Sequence, residues 1–112
     1  MKFSFVEAPA FTRHLPDYMD DDEYRALQDA LIKNPDIGDT IQATGGLHKL
    51  RWRDHRRGKG KRSGLRIIYY YIEKERLIWL FTLYSKDEAA DLTADQKRAI
   101  KQAIKAEIKT RK

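Results

Sequence analysis

With 112 residues and no cysteine, the chain can build one domain with a modest core, and it excludes a disulfide framework or a thiolate metal site. An apolar share of 41%, with six Tyr, four Phe and two Trp, excludes a disordered chain despite 36% charged residues. The net charge of +6 is concentrated: nine basic residues and one acid, Asp54, lie between Gly45 and Arg66, giving that stretch +8 and leaving −2 elsewhere.

Lys2–Glu7 places Phe3 and Phe5 on one face and predicts a first strand. The same residues form no apolar h-region, so no secretory signal is expected. The longest apolar runs, Ile67–Ile72 and Leu77–Leu83, fall far short of the roughly 20 residues a membrane helix needs. With no cysteine to protect, a cytoplasmic location is expected. Pro9 opens a short helix over Ala10–Leu15, which Pro16 is expected to interrupt. Asp20 and Glu23 have the spacing of a capping box, and Tyr24, Leu27 and Leu31 follow at i, i+3 and i+7. They predict an amphipathic helix stopping at Asn34-Pro35. Asp36–Gly46 reads as a linker with turns at Gly38-Asp39 and Gly45-Gly46.

Leu47–Arg53 alternates, with Leu47, Lys49, Arg51 and Arg53 on one face and His48, Leu50 and Trp52 on the other. A loop dense in Gly, Lys and Arg follows over Asp54–Gly64. Leu65–Ile72 and Leu77–Tyr84 read as strands joined by a hairpin turn at Glu73–Arg76. Both are apolar on nearly every residue, as strands covered on two faces are. Thr93 and Gln96 match a second capping box, and Ile100, Ile104 and Ile108 recur every fourth residue in a C-terminal helix rich in Lys and Arg. The order β-α-α-β-β-β-α predicts a single α+β domain over residues 1–112, with a small, mostly antiparallel sheet packed by helices.

The chemistry-bearing motifs separate quickly. A phosphate-binding loop at Gly60-Lys61 would need Gly where His55 stands and Ser or Thr where Arg62 stands. The three histidines, His14, His48 and His55, lack metal-ligand spacing, so no metal or other cofactor is expected. His48 shares the Leu50/Trp52 face and reads as half-buried and structural, whereas His55 in the basic loop could transfer a proton. Asp20–Glu23 is explained by helix capping. The basic strand is different. Lys49, Arg51 and Arg53 recur at about 6.6 to 7 Å, near the spacing of successive phosphates along an RNA strand. Arg66 opens an otherwise apolar strand, an unfavourable place for a cation unless it faces a pocket or partner. With Tyr84 and Lys86 near the end of the last strand, these residues predict cations around a phosphate and an aromatic surface for a base.

On these residues the chain resembles the RelE superfamily of toxin–antitoxin toxins, and more closely its HigB-like branch. The resemblance is carried by Phe5-Val6-Glu7 entering Pro9, by Asp21–Gln28, by Asn34-Pro35 through Gly38-Asp39, and by Thr44-Gly45-Gly46-Leu47 with Lys49-Leu50-Arg51. It continues through Gly58–Gly64, Arg66–Tyr70 and Leu83–Glu88 to Asp91-Leu92. It implies a microbial-RNase-like fold and a ribosome-dependent endoribonuclease that cleaves A-site mRNA by metal-independent attack of the 2′-hydroxyl. Lys49, Arg51, Arg66, Tyr84 and Lys86 would be catalytic. Arg53, His55, Arg56, Arg57, Lys59, Lys61 and Arg62 would bind RNA. The implied partners are the ribosome, mRNA and a cognate helix-turn-helix antitoxin through which operator DNA is reached. After the last strand, Asp87 and Thr93 stand where RelE has an arginine and a tyrosine, so proton transfer falls to Tyr84, Lys86 or His55. The competing readings are a non-catalytic nucleic-acid-binding regulator and an inactive toxin homologue that acts with its antitoxin on DNA.

Overall fold

The computed structural model describes residues 2–42, 44–54, 64–86 and 92–111. Its strands are β1 (Ser4–Glu7), β2 (Asp39–Thr40), β3 (His48–Trp52), β4 (Leu65–Ile72) and β5 (Leu77–Ser85). They form one sheet in the order β1-β5-β4-β3-β2, in which β1 runs parallel to β5 and the other pairs are antiparallel. Three helices, α1 (Pro9–Tyr18), α2 (Asp21–Lys33) and α3 (Ala94–Arg111), complete the α+β architecture that the alternation predicts. No helix among the described residues is long and apolar enough to cross a membrane.

Two corrections concern the first half. Pro16 does not end α1, which continues to Tyr18. The proline removes one N–H from the helical ladder, but the last turn keeps Tyr18 buried, and the Met19 N–H still reaches the Leu15 carbonyl at 3.0 Å. Core packing outweighs the lost hydrogen bond. The second correction is β2, which lies inside the segment expected to be linker and pairs Asp39 with Lys49 and Thr40 with His48. A tight turn makes this pairing possible: Gly45 and Gly46 adopt φ of 80° and 114°, and the Ile41 N–H donates to the Leu47 carbonyl at 2.7 Å. A Cβ at Gly46 would also stand 3.0 Å from a Tyr70 ring carbon, so glycine is required twice over.

The helix caps follow the sequence. Asp20 accepts from the Glu23 N–H at 2.8 Å while Glu23 accepts from the Asp20 N–H at 3.1 Å. Thr93 and Gln96 make the same reciprocal pair at 2.9 and 3.1 Å. The sheet separates two cores. Phe11, Leu27 and Leu31 from α1 and α2 meet Leu50, Ile67, Tyr69 and Leu80 on one face. Ile104 of α3 and Leu92 meet Leu47, Ile68 and Phe81 on the other. The two-faced burial expected of β4 and β5 is what the sheet centre displays.

Register between β4 and β5 shifts once, at Ile68/Tyr69. Ile68 opposes Thr82 whereas Tyr69 opposes Leu80, leaving Phe81 as the extra residue of a bulge. A bulge reverses side-chain parity beyond it. Trp79 and Phe81 face the α3 side before the shift, and Tyr84 faces that side after it, beside Arg66.

Tyr69 clamps the α2–β2 connection to the sheet. Its buried hydroxyl donates to the Pro35 carbonyl at 2.7 Å and accepts from the Gly38 N–H at 3.0 Å. Burial pushes its pKa up to about 12; the Gly38 N–H opposes the shift and the charge of Asp36 adds to it. Because the folded pKa lies above the ordinary value of 10.0, this stability is complete below pH 10 and is lost as pH rises through about 12. Tyr69→Phe should therefore cost about 1–3 kcal/mol at neutral pH and flatten the alkaline limb of the stability profile, as followed by denaturant melts across that range.

Candidate nucleic-acid interface

The α3 face of the sheet carries apolar residues at one end and cations at the other. On β3, Lys49 and Arg51 project to this face two residues apart, half-buried and exposed respectively. Across the ladder, Lys49 opposes Ile68 and Arg51 opposes Arg66, and Arg66 in turn opposes Tyr84 on β5. Arg51, Arg66 and Tyr84 thus form one row perpendicular to three strands. Side chains in such a row stand about 4.5–5.5 Å apart at Cβ, and like charges placed opposite one another destabilise a sheet. Two guanidiniums in this position are suited to an anion between or above them.

Arg66, expected to need a pocket or a partner because it opens an apolar strand, is 4% exposed. One guanidinium N–H donates to the Leu65 carbonyl at 3.1 Å. Its central position explains the burial, since β4 is flanked by both β3 and β5. Burial first, and the neighbouring charge of Arg51 second, hold its pKa below the ordinary arginine value, while Tyr84 acts in the opposite direction. The guanidinium remains charged, as arginines in proteins do. It is a desolvated cation.

The other sequence-derived residues distribute unevenly. Arg53 is exposed just beyond the end of β3 rather than within the strand. Lys86 is exposed one residue past β5, and its backbone N–H donates to the Gly64 carbonyl at 2.9 Å. His55, Arg56, Arg57, Lys59, Lys61 and Arg62 lie outside the described residues. His48 is structural: its Nδ1 lies 2.8 Å from the Gly46 carbonyl, and its ring stacks on Tyr69 at 5.1 Å. Its Nε2 lies 3.6 Å from the Asp36 carboxylate. Thr93, where the resemblance would place a tyrosine, is spent capping α3.

The sequence reading missed two buried polar residues at this end of the sheet, Asp54 and Ser85. Asp54 had one available signal, as the sole acid among nine cations, since a buried carboxylate is retained where charge partners satisfy it. Ser85 had none. Among the described residues, no three His, Cys, Asp or Glu side chains cluster as a metal site would.

No protein-family model matches the sequence. Solved structures do match the fold. The isolated E. coli RelE toxin aligns with a TM-score of 0.55 at 10% identity, covering 91% of this chain and 99% of that one. RelE within the intact E. coli RelBE toxin–antitoxin complex aligns at 0.53 and 10% identity, covering 73% and 94%. A RelE double mutant bound to a peptide of the antitoxin RelBc aligns at 0.53 and 16% identity, covering 80% and 88%. The chain has the RelE fold.

Proposed function

We propose that this protein is a RelE-type toxin of the HigB-like branch, a single-domain ribonuclease that cleaves mRNA on the ribosome and so works in the cytoplasm. The observation that carries the proposal is the Arg51–Arg66–Tyr84 row, with Lys49 beside it, on a RelE fold. In the reaction, the 2′-hydroxyl oxygen forms a bond to the adjacent phosphorus and the bond to the 5′ oxygen breaks. The products are a 2′,3′-cyclic phosphate and a free 5′-hydroxyl. The 2′ proton leaves to a base, and another proton reaches the departing 5′ oxygen. Lys49, Arg51 and Arg66 stabilise the extra negative charge of the phosphorane, the largest catalytic contribution that preorganised cations make. Tyr84, next to Arg66 in the row, carries the proton transfer, with Lys86 and His55 as the other candidates. The cations Arg56, Arg57, Lys59, Lys61 and Arg62, with Arg53, hold the RNA strand.

Neighbours of this fold are complexed with an antitoxin, and the same kind of partner is assigned here: an acidic or amphipathic segment covering the cationic row, attached to a DNA-binding helix-turn-helix unit. Induced expression should arrest growth and cut translated mRNA, and purified protein should cut free RNA poorly but programmed ribosomes well. RNA retention with no cleavage in either setting would instead identify a non-catalytic RNA-binding regulator.

A further inference from the structure

Helix α3 carries a second line of charge that the cationic row does not use. Residues 94–112 hold seven basic and two acidic side chains. Lys97, Lys101 and Lys105 recur every fourth residue, and therefore lie on one side of the helix about 6 Å apart along its axis. The position of that side follows from the fold. Ile100, Ile104 and Ile108 form the seam that packs on the sheet. One flank of the seam, Gln96, Ala99 and Ala103, lines a cavity of about 370 Å³ together with Ala8–Ala10 and Trp79, at the β1 side of β5. By helical spacing the lysines occupy the opposite flank, away from that cavity, on a helix whose seam packs in one cluster with Leu47 and with Ile68 and Tyr70 of β4, on the sheet face that also carries Lys49, Arg51 and Arg66.

Their surroundings are not those of an ordinary solvated face. Lys97 and Lys101 are half-buried. Of the two acids on α3, Asp95 is engaged by Arg98 at 3.2 Å. No ion pair joins Lys101 or Lys105 to another side chain among the described residues. Like charges four residues apart weaken a helix, and here the helix lies on the sheet face that carries the cationic row. A polyanion lying between the two would neutralise both.

We propose that Lys97, Lys101 and Lys105 form the second wall of the RNA groove, holding backbone phosphates that flank the one bound by Lys49, Arg51 and Arg66. This inference rests on the RNA-cleaving reading of the cationic row, and the test separates the two. The probe is a single-stranded RNA oligonucleotide made non-cleavable by a 2′-deoxy substitution, titrated against the full chain at several salt concentrations. Three lost phosphate contacts should make the log K versus log salt slope shallower by about 2 in a Lys97→Gln, Lys101→Gln, Lys105→Gln variant. The exposed single change Lys105→Gln should remove about 0.7 of slope, and it keeps the test valid if the triple variant folds poorly by circular dichroism. Lys33→Gln on α2, across the sheet, should leave binding at the parental value.

An unchanged slope in the α3 variants, with Arg51→Gln clearly weakened, would overturn the second wall and leave the RNA reading standing. Parental binding by the α3 variants and Arg51→Gln alike would overturn both.

Discussion

Arg66→Ala should slow single-turnover cleavage on programmed ribosomes by about 10²- to 10³-fold, the scale of losing one preorganised donor to a developing anion. Arg66 stands between Arg51 and Tyr84 in the cross-strand row, so it is the central cation of the site. Its burial strengthens the case, because a desolvated cation requires no solvent reorganisation as charge builds on the phosphorane. Burial also changes the expectation for stability. A solvent-facing arginine would be replaced at little energetic expense, but Arg66 is 4% exposed and donates to the Leu65 carbonyl. Its removal should destabilise the fold by about 1–3 kcal/mol, moderated by relief of repulsion from Arg51. Arg66→Lys should recover part of the rate, since an ammonium cannot make the bidentate phosphate contact. Arg57→Ala should mainly weaken binding. The measurement pairs cleavage kinetics with thermal melts. A folded Arg66→Ala protein cleaving at the parental rate would remove Arg66 from the site and undercut the ribonuclease reading.

RNA affinity should fall steeply with salt. If the +8 stretch between Gly45 and Arg66 engages four to six phosphates, the log K versus log salt slope on single strands should be about −3 to −4. Raising salt from about 50 to 200 mM would then weaken binding by roughly 10²-fold. Filter binding or fluorescence anisotropy reads this directly. A response near zero would make the stripe a solubility device and shift the interface elsewhere on the molecule.

Much of this architecture is legible in the residues. Period-two alternation exposes β3 and the orientation of Lys49 and Arg51, and the capping pairs Asp20/Glu23 and Thr93/Gln96 mark where α2 and α3 begin. Periodicity describes one element at a time, however, and the site depends on relations between elements. The row exists because Arg51, Arg66 and Tyr84 fall in register, and because the bulge at Phe81 turns Tyr84 to the α3 face. Simple alternation from Trp79 would have turned it away. At Arg66 the residues mark a cation in need of a pocket or partner, but its burial at the sheet centre and its neighbours Arg51 and Tyr84 come from register. Pro16 shows the same limit, since a local rule against helix yields to the burial of Tyr18.

The placement of β5 between β1 and β4 bears on the order in which the cationic row can be assembled. Strand β1, Ser4–Glu7, finds its parallel partner only in Leu77–Leu80, more than seventy residues later in the chain. Until then neither it nor β4 has a neighbour on that side, and Arg66 lacks Tyr84. Long-range parallel pairing forms late, because the loop it closes must be ordered first. A chain in which β5 has not yet docked therefore carries Arg51 and Arg66 without Tyr84 beside them. Docking of β5 is the step that completes the row, and it joins β1 to the rest of the sheet at the same time.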